Sequence, residues 1–282
     1  MCSSDLKQAM KKLVAIILAL VLCAAAGASL AEKTELVVFA AASLTESLTE
    51  IKTLYETANP ETELVCNFDS SGTLKTQIQE GAVCDVFISA GQKQVNQLDI
   101  TRYEEKNPER LDFVLEGSRI DLLENKVALV TPADNPKGIK SFDELTALLK
   151  GGEVLMAMGN ADVPVGQYTQ KILAYYGLDE DALAAAGKIT YGTNVKEVTT
   201  QVVQGSVDCG VVYSTDAFSA GLDVIDTATP EMCGRVIYPA AVMKNSAVPE
   251  AAQAFLDYLR GEEAMKVFEE IGFTGIRAEE TK

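Results

Sequence analysis

Short runs of apolar, often β-branched residues alternate along this chain with stretches whose apolar positions recur every three or four residues. The runs that read as strands are Leu36–Ala40, Leu64–Phe68, Val86–Ser89, Val127–Thr131, Val154–Met158, Ile189–Tyr191, Gly210–Tyr213 and Val236–Val242. Helical patterns fall between them, at about 43–57, 73–81, 141–150, 166–176 and 195–204. Strands alternating with helices predict βαβ units and an α/β fold of open, mainly parallel sheets. Eight strands are many for one small sheet, so two lobes are expected. The tail differs: Pro249 opens a helical stretch with Phe255, Tyr258 and Leu259 on one face, and after Gly261 the pattern resumes with Met265, Phe268 and Ile271. Two terminal helices docking back on a lobe follow from it. The expected division is lobe 1 over 32–118, lobe 2 over 119–237 and a return to lobe 1 over 238–282. The chain would cross near Arg119–Lys126 and Tyr238–Val242, because no repeat or long flexible linker interrupts it.

The first 31 residues do not fit that rhythm. Met10-Lys11-Lys12 makes a basic start, Leu13 to Ala26 an apolar run of signal-peptide length, and Ser29-Leu30-Ala31 a small-residue cleavage site. Residues 1–31 are therefore expected to be a signal peptide cut after Ala31, with Met10 as an alternative start. An uncleaved anchor is the competing reading, although a spanning helix needs about 20 strongly apolar residues. A lipid anchor on Cys23 is a third, but Leu22 precedes it where a small residue belongs. The chain is thus expected to work outside the cytoplasm, in the periplasm or at the outer face of the membrane.

Composition removes several classes of function. The 282 residues are 48% apolar, enough for a large core, and carry a net charge of −17. Without residues 1–31 (Lys7, Lys11, Lys12 and Asp5) the balance is 21 basic against 40 acidic residues, or −19. Nucleic acid and anionic membranes need a basic face, so neither is an expected partner. Histidine is absent. No Ser-His-Asp or Cys-His pair can therefore be built, and no imidazole can bind a metal. Four cysteines follow the leader, namely Cys66, Cys84, Cys209 and Cys233. An exported protein can pair them, with Cys209–Cys233 favoured, or bury them as free thiols.

In open α/β sheets ligands bind beyond the C-terminal ends of strands, where helix starts present unpaired N–H groups suited to anions. Five such junctions stand out. In Phe39-Ala40-Ala41-Ala42-Ser43-Leu44-Thr45-Glu46, small residues let a ligand approach the backbone and Ser43 can donate its hydroxyl. The competing reading is a capping box, Ser43-x-x-Glu46. The chain holds its own control in Ser141-x-x-Glu144, the same pattern on a surface helix. The second junction is Asp69-Ser70-Ser71-Gly72-Thr73, two hydroxyls and a glycine, with Asp69 an unwelcome neighbour for an anion. In the third, Asp162-Val163-Pro164-Val165-Gly166, donors would be backbone N–H groups near Val165. The fourth is Gly192-Thr193-Asn194-Val195-Lys196-Glu197, with Asn194 a good N-cap. In the fifth, Tyr213 ends a buried strand and can turn its phenol into a cleft or sit at the core rim. Together these make a site rich in hydrogen-bond donors and poor in acceptors, which suits a fully ionised oxyanion. Screening beyond about 8 Å at physiological salt keeps the acidic surface from forbidding one.

At these junctions the chain resembles the periplasmic molybdate-binding proteins, the ModA family of ABC-transporter receptors. The matching segments include Val38 to Thr45, Ser70-Ser71-Gly72-Thr73-Leu74, Cys84 to Ala90, Val163-Pro164-Val165-Gly166, Gly210-Val211-Val212-Tyr213 and Tyr238-Pro239-Ala240-Ala241-Val242. They run in family order through nearly all of the chain after the leader. The resemblance implies a two-lobed periplasmic binding protein type II fold, with each lobe an open sheet flanked by helices and the ligand cleft between them. It implies a monomer that closes over molybdate or tungstate and docks on a membrane permease, with no catalysis, no cofactor and no bound cation. The family's oxyanion contacts fall on Ser43, Ser71 and Tyr213 through hydroxyls, and on Val165 and Val195 through the main chain. Sulfate is the near alternative, since it too only accepts hydrogen bonds. Phosphate is a further one, because its proton wants an acceptor such as Asp69. An extracytoplasmic enzyme or a ligand-sensing module are alternatives of other classes, with no carboxylate pair or fused domain visible for either.

Overall fold

The computed structural model describes residues 33–276, so the leader read in residues 1–31 and the segment 277–282 lie outside the described residues. Two sheets carry the fold. The first contains β1 (Thr34–Ala41), β2 (Thr62–Asp69), β3 (Val86–Ile88), β4 (Ile120–Asn125), β10 (Val236–Val242) and β11 (Thr274–Gly275), ordered β11-β4-β10-β3-β1-β2. The second contains β5 (Val127–Val130), β6 (Met156–Gly159), β7 (Ile189–Gly192), β8 (Cys209–Tyr213) and β9 (Val224–Thr227), ordered β7-β6-β8-β5-β9.

The first sheet is apolar on both faces, as a sheet covered by helices on both sides must be. Side chains alternate across a strand. Leu36, Val38 and Ala40 of β1 therefore enter the main core, and Phe39 enters a smaller one with Leu74, Ile78, Phe87, Val95 and Leu98. Helices α1 (Thr45–Ala58), α2 (Ser71–Gln79), α3 (Gln92–Leu98), α10 (Pro249–Leu259) and α11 (Glu262–Ile271) accompany this sheet. Helices α4 (Phe142–Gly151), α5 (Pro164–Tyr175), α6 (Glu180–Ala185), α7 (Val195–Val203) and α8 (Ser214–Ser219) accompany the second. The short α9 (Pro230–Cys233) lies on the return path. Local chemistry sets the ends: Pro164 and Pro249 occupy first turns, and Gly152 closes α4 at φ +69°, where a side chain would be strained.

The two-sheet α/β architecture is the expected one, but the strand directions are more mixed than alternation alone implies. β1–β3, β6–β7 and β6–β8 pair in parallel, whereas β10 pairs antiparallel with β3 and β4, and β5 antiparallel with β8 and β9. The reversed strands are those next to the crossings. Both crossings are short. β4 belongs to the first sheet, so the chain passes over at Lys126, the single residue between β4 and β5 and the last of the expected Arg119–Lys126 segment. The return occupies residues 228–235, because Tyr238–Val242 is already paired with β3 and β4. Lobe 1 is thus 33–125 with 236–276, and lobe 2 is 127–227. The favoured Cys209–Cys233 bridge is not formed: Cys209 is buried in a central strand, Cys233 in α9, and all four described cysteines are free thiols. Among the described residues no helix is long and apolar enough to cross a membrane.

Candidate functional site

All five predicted residues meet in one place. Ser43, Ser71, Val165, Val195 and Tyr213 line a single small hollow, together with Ala41, Ala42, Asp69, Ser70, Ala90, Val163 and Pro164. Ser43, Ser71 and Ala90 come from lobe 1; Val165, Val195 and Tyr213 come from lobe 2. Three wider hollows open to solvent; one of them shares Pro164 with this site, and another is lined in part by Thr199, Thr200 and Ser219.

Each junction reaches the hollow in its own way. After β1, residues Ala42–Leu44 form a 3₁₀ turn and α1 begins only at Thr45. Ser43 is therefore not the cap of α1, and its hydroxyl lies 2.9 Å from the Tyr238 hydroxyl. After β2, Ser70 takes the capping duty by accepting from Thr73 N–H at 3.1 Å. That leaves Ser71 for the hollow. Its Oγ accepts from Ala90 N–H at 3.0 Å, so its own proton is available to a guest. Before α5, Pro164 supplies no N–H, and the N–H groups of Val165 and Gly166 belong to the first turn, which has no intrahelical acceptor. A Cβ on Gly166 would lie 2.2 Å from Gly159 O, so only glycine lets this turn pack against the end of β6. Asn194 caps α7 by accepting from Glu197 N–H at 3.1 Å, placing Val195 at the helix start. Tyr213 ends β8 and donates to Ala90 O at 3.3 Å.

The electrostatics favour donors. Burial, with Tyr238, Tyr168 and Asp216 nearby, holds the Tyr213 phenol well above its ordinary pKa, so it stays protonated. Tyr238 is raised likewise, by burial first and then by Asp216. No lysine or arginine lines the hollow. Lys196, the one cation in the five turns, points at Glu46 (2.8 Å) and Asp216 (3.1 Å). Burial pulls the Lys196 pKa down, but Asp216 and Glu46 outweigh it and the net shift is upward. Burial raises the Asp216 carboxyl to about 6 against the opposing pull of Lys196. Asp69, the feared carboxylate, does line the hollow, but its Oδ1 accepts from Ser70 N–H at 2.7 Å and from Asn194 Nδ2 at 3.5 Å. No group of three or more Cys, Asp or Glu suited to a metal ion occurs among the described residues.

Sequence reasoning did not assign a role to three residues here. Ala90 offers a backbone carbonyl to Tyr213 and its N–H to Ser71. Tyr238 meets Ser43, and Asn125, beside the crossing at Lys126, donates to Tyr238 at 3.2 Å and to Thr215 at 2.9 Å. Small residues after β3 were the available signal for Ala90. Nothing local marks Asn125 or Tyr238, since their contacts span 90 or more positions in the chain.

Comparison with known proteins agrees with this geometry. Residues 36–274 match the family described as bacterial extracellular solute-binding protein. The chain is 33% identical over 264 residues to the molybdate-binding protein ModA of Escherichia coli, covering 89% of this chain and 93% of that one. It is also 33% identical over 245 residues to a Bacillus subtilis lipoprotein named as an ABC-transporter substrate-binding protein, covering 86% and 87%. Among solved structures, a substrate-binding domain assigned to a molybdenum ABC transporter of Clostridium difficile superposes with a TM-score of 0.63 at 33% identity, covering 87% of this chain and all of that one.

Proposed function

Because the chain belongs to the bacterial extracellular solute-binding proteins, we propose that it is the receptor of an ABC importer that captures molybdate or tungstate and hands it to a membrane permease. The observation that carries this reading is the convergence of five strand-to-helix junctions from two lobes on one small, donor-lined hollow. Ser43, Ser71 and Tyr213 would donate hydroxyl protons, and Val165 and Val195 main-chain N–H groups. A tetrahedral dianion with four acceptor oxygens and no proton matches that set. Short-range donors in a closed cleft act at a lower effective dielectric than surface charges do. The net negative charge therefore slows encounter more than it weakens the bound state.

The reading requires no catalysis and no cofactor, since the oxyanion is cargo. It places the working protein outside the cytoplasm, as the leader in residues 1–31 also suggests, and the relatives' names support the molybdenum assignment. A monomer suffices, because both lobes of the site come from one chain. Titration calorimetry with molybdate, tungstate, sulfate and phosphate tests it. Molybdate and tungstate should bind well below micromolar, with sulfate and phosphate far weaker. Tight phosphate binding without molybdate binding would mean that Asp69 accepts a ligand proton and that the ligand assignment is wrong.

A further inference from the structure

One close approach between the lobes falls at a residue that does not line the hollow. Gly72 is the second residue of α2, in lobe 1. A Cβ built there would lie 2.2 Å from the carbonyl oxygen of Asp162, 2.9 Å from its carbonyl carbon and 3.0 Å from its Cβ. Asp162 belongs to lobe 2, in the loop before α5, and it supplies all three of the nearest atoms. Gly72 is not among the residues with positive φ, and alanine is the better helix former at such a position. The Asp162 loop cannot easily retreat. Asp162 N–H donates to Asn160 Oδ1 at 2.9 Å, Val163 N–H to Asn160 O at 3.0 Å, and Gln167 Nε2 to Ala161 O at 2.8 Å.

Around this contact run three further ties between lobes. Tyr213 donates to Ala90 O, Asn194 Nδ2 lies 3.5 Å from Asp69 Oδ1, and Lys196 reaches both carboxylate oxygens of Glu46 at 2.8 Å. All three exist only while the lobes are together. They flank the hollow, whereas Gly72 sets how near Ser71 can come to the start of α5.

We propose that Gly72 is a closure-determining residue: its missing side chain lets lobe 1 seat against the Asp162 carbonyl, and any side chain there holds the cleft ajar. This rests on the receptor reading given above. It assigns Gly72 a positioning role, acting through lobe approach and not through contact with the ligand. A ligand that needs donors from both lobes would then lose part of its shell in any Gly72 variant. The population of closed molecules falls, and apparent affinity falls by the same factor.

Gly72→Ala tests it through two readouts. In calorimetry with the four oxyanions, the variant should bind the wild-type ligand at least about tenfold more weakly. Small-angle scattering should show wild type contracting at saturation and the variant failing to contract. The ligand-free melting temperature should be unchanged, because the clash exists only in the closed form. A large fall in that temperature would place the clash inside lobe 1 and overturn the proposal, as would wild-type affinity with full contraction. The second readout needs no ligand. Cysteines introduced by Glu46→Cys and Lys196→Cys should form a disulfide only when the lobes meet, and adding Gly72→Ala should slow that reaction at least about tenfold. An unchanged rate overturns the closure role even if none of the four anions binds, a result that by itself sinks only the receptor reading.

Discussion

Two four-residue segments of this protein share one pattern and part company in the fold. Ser141-x-x-Glu144 caps the start of α4: Ser141 Oγ accepts from Glu144 N–H at 3.2 Å, and Glu144 Oε2 accepts from the N–H of Lys140, the residue before the cap, at 3.0 Å. Ser43-x-x-Glu46 makes neither bond. Three alanines, Ala40 to Ala42, bring β1 directly into a 3₁₀ turn, and Ser43 is buried against Tyr238 while Glu46 reaches across to Lys196. A serine before a helix satisfies orphan N–H groups when the chain arrives extended. When the chain arrives already turning, the same hydroxyl is released for other work. The difference between cap and site thus lies in the residues before the serine, not in the motif.

The sharpest way to break this comparison is through binding. Ser43→Ala, Ser71→Ala and Tyr213→Phe should each weaken molybdate binding by about 1–3 kcal/mol, the value of a hydrogen bond to a charged acceptor with its donor removed. Ser141→Ala should leave affinity untouched. Unchanged calorimetric affinity in all three site variants would remove the site assignment.

A second contrast is one of pH. Glu144 faces solvent, whereas Glu46 shares Lys196 with the buried Asp216. The folded-state pKa of Asp216, about 6, lies above its ordinary value of 3.8. Its protonated form is therefore favoured by folding. That contribution is fully present below about pH 3.8 and is lost as pH rises through about 6. The melting temperature of Asp216→Asn, relative to wild type, should accordingly rise between pH 4 and 7. A constant offset across that range would show that the carboxyl is not held protonated. Lys196, Glu46, Tyr213 and Tyr238 are the charged or titratable groups around it.

Smaller effects follow. Ser141→Ala should cost about 1 kcal/mol of stability, as loss of a cap does, read as a lower midpoint in urea. Ser43→Ala should show its main effect in affinity instead. Smallest is Glu46→Gln. It severs a half-exposed pair worth about 0–1 kcal/mol, so molybdate affinity should fall slightly at low salt and match wild type at high salt. Glu144→Gln, on a solvated face of one lobe, should leave affinity alone at any salt.

What could be read without a structure was whatever depends on near neighbours. Continuous apolar runs such as Leu36–Ala40 and Val236–Val242 announce themselves because every position is apolar. Proline and glycine punctuation located α5, α10 and the end of α4 to within a few residues. The strand β4, Ile120–Asn125, was missed because only Leu122 and Leu123 among its six residues are fully apolar and buried; it is a strand by virtue of lying between β10 and β11. Helix α3, Gln92–Leu98, is polar in sequence yet buries Gln94 and Asn96 beside Val95 and Leu98.

The chain alone therefore determined the kind of groups on offer: hydroxyls, helix starts and small residues after strands, no imidazole and a surplus of carboxylates. Spatial arrangement decided which of them face one another. Ser43 left its helix for Tyr238, Asp69 was tied down by Ser70 N–H and Asn194, and Gly72 came to rest on a carbonyl from the other lobe. The reason is one of range. Capping, alternation and turn chemistry act over a few residues and are written locally. The contacts that join the two lobes at the cleft link positions 90 to 150 apart in the chain, which only the packing of two sheets brings within reach.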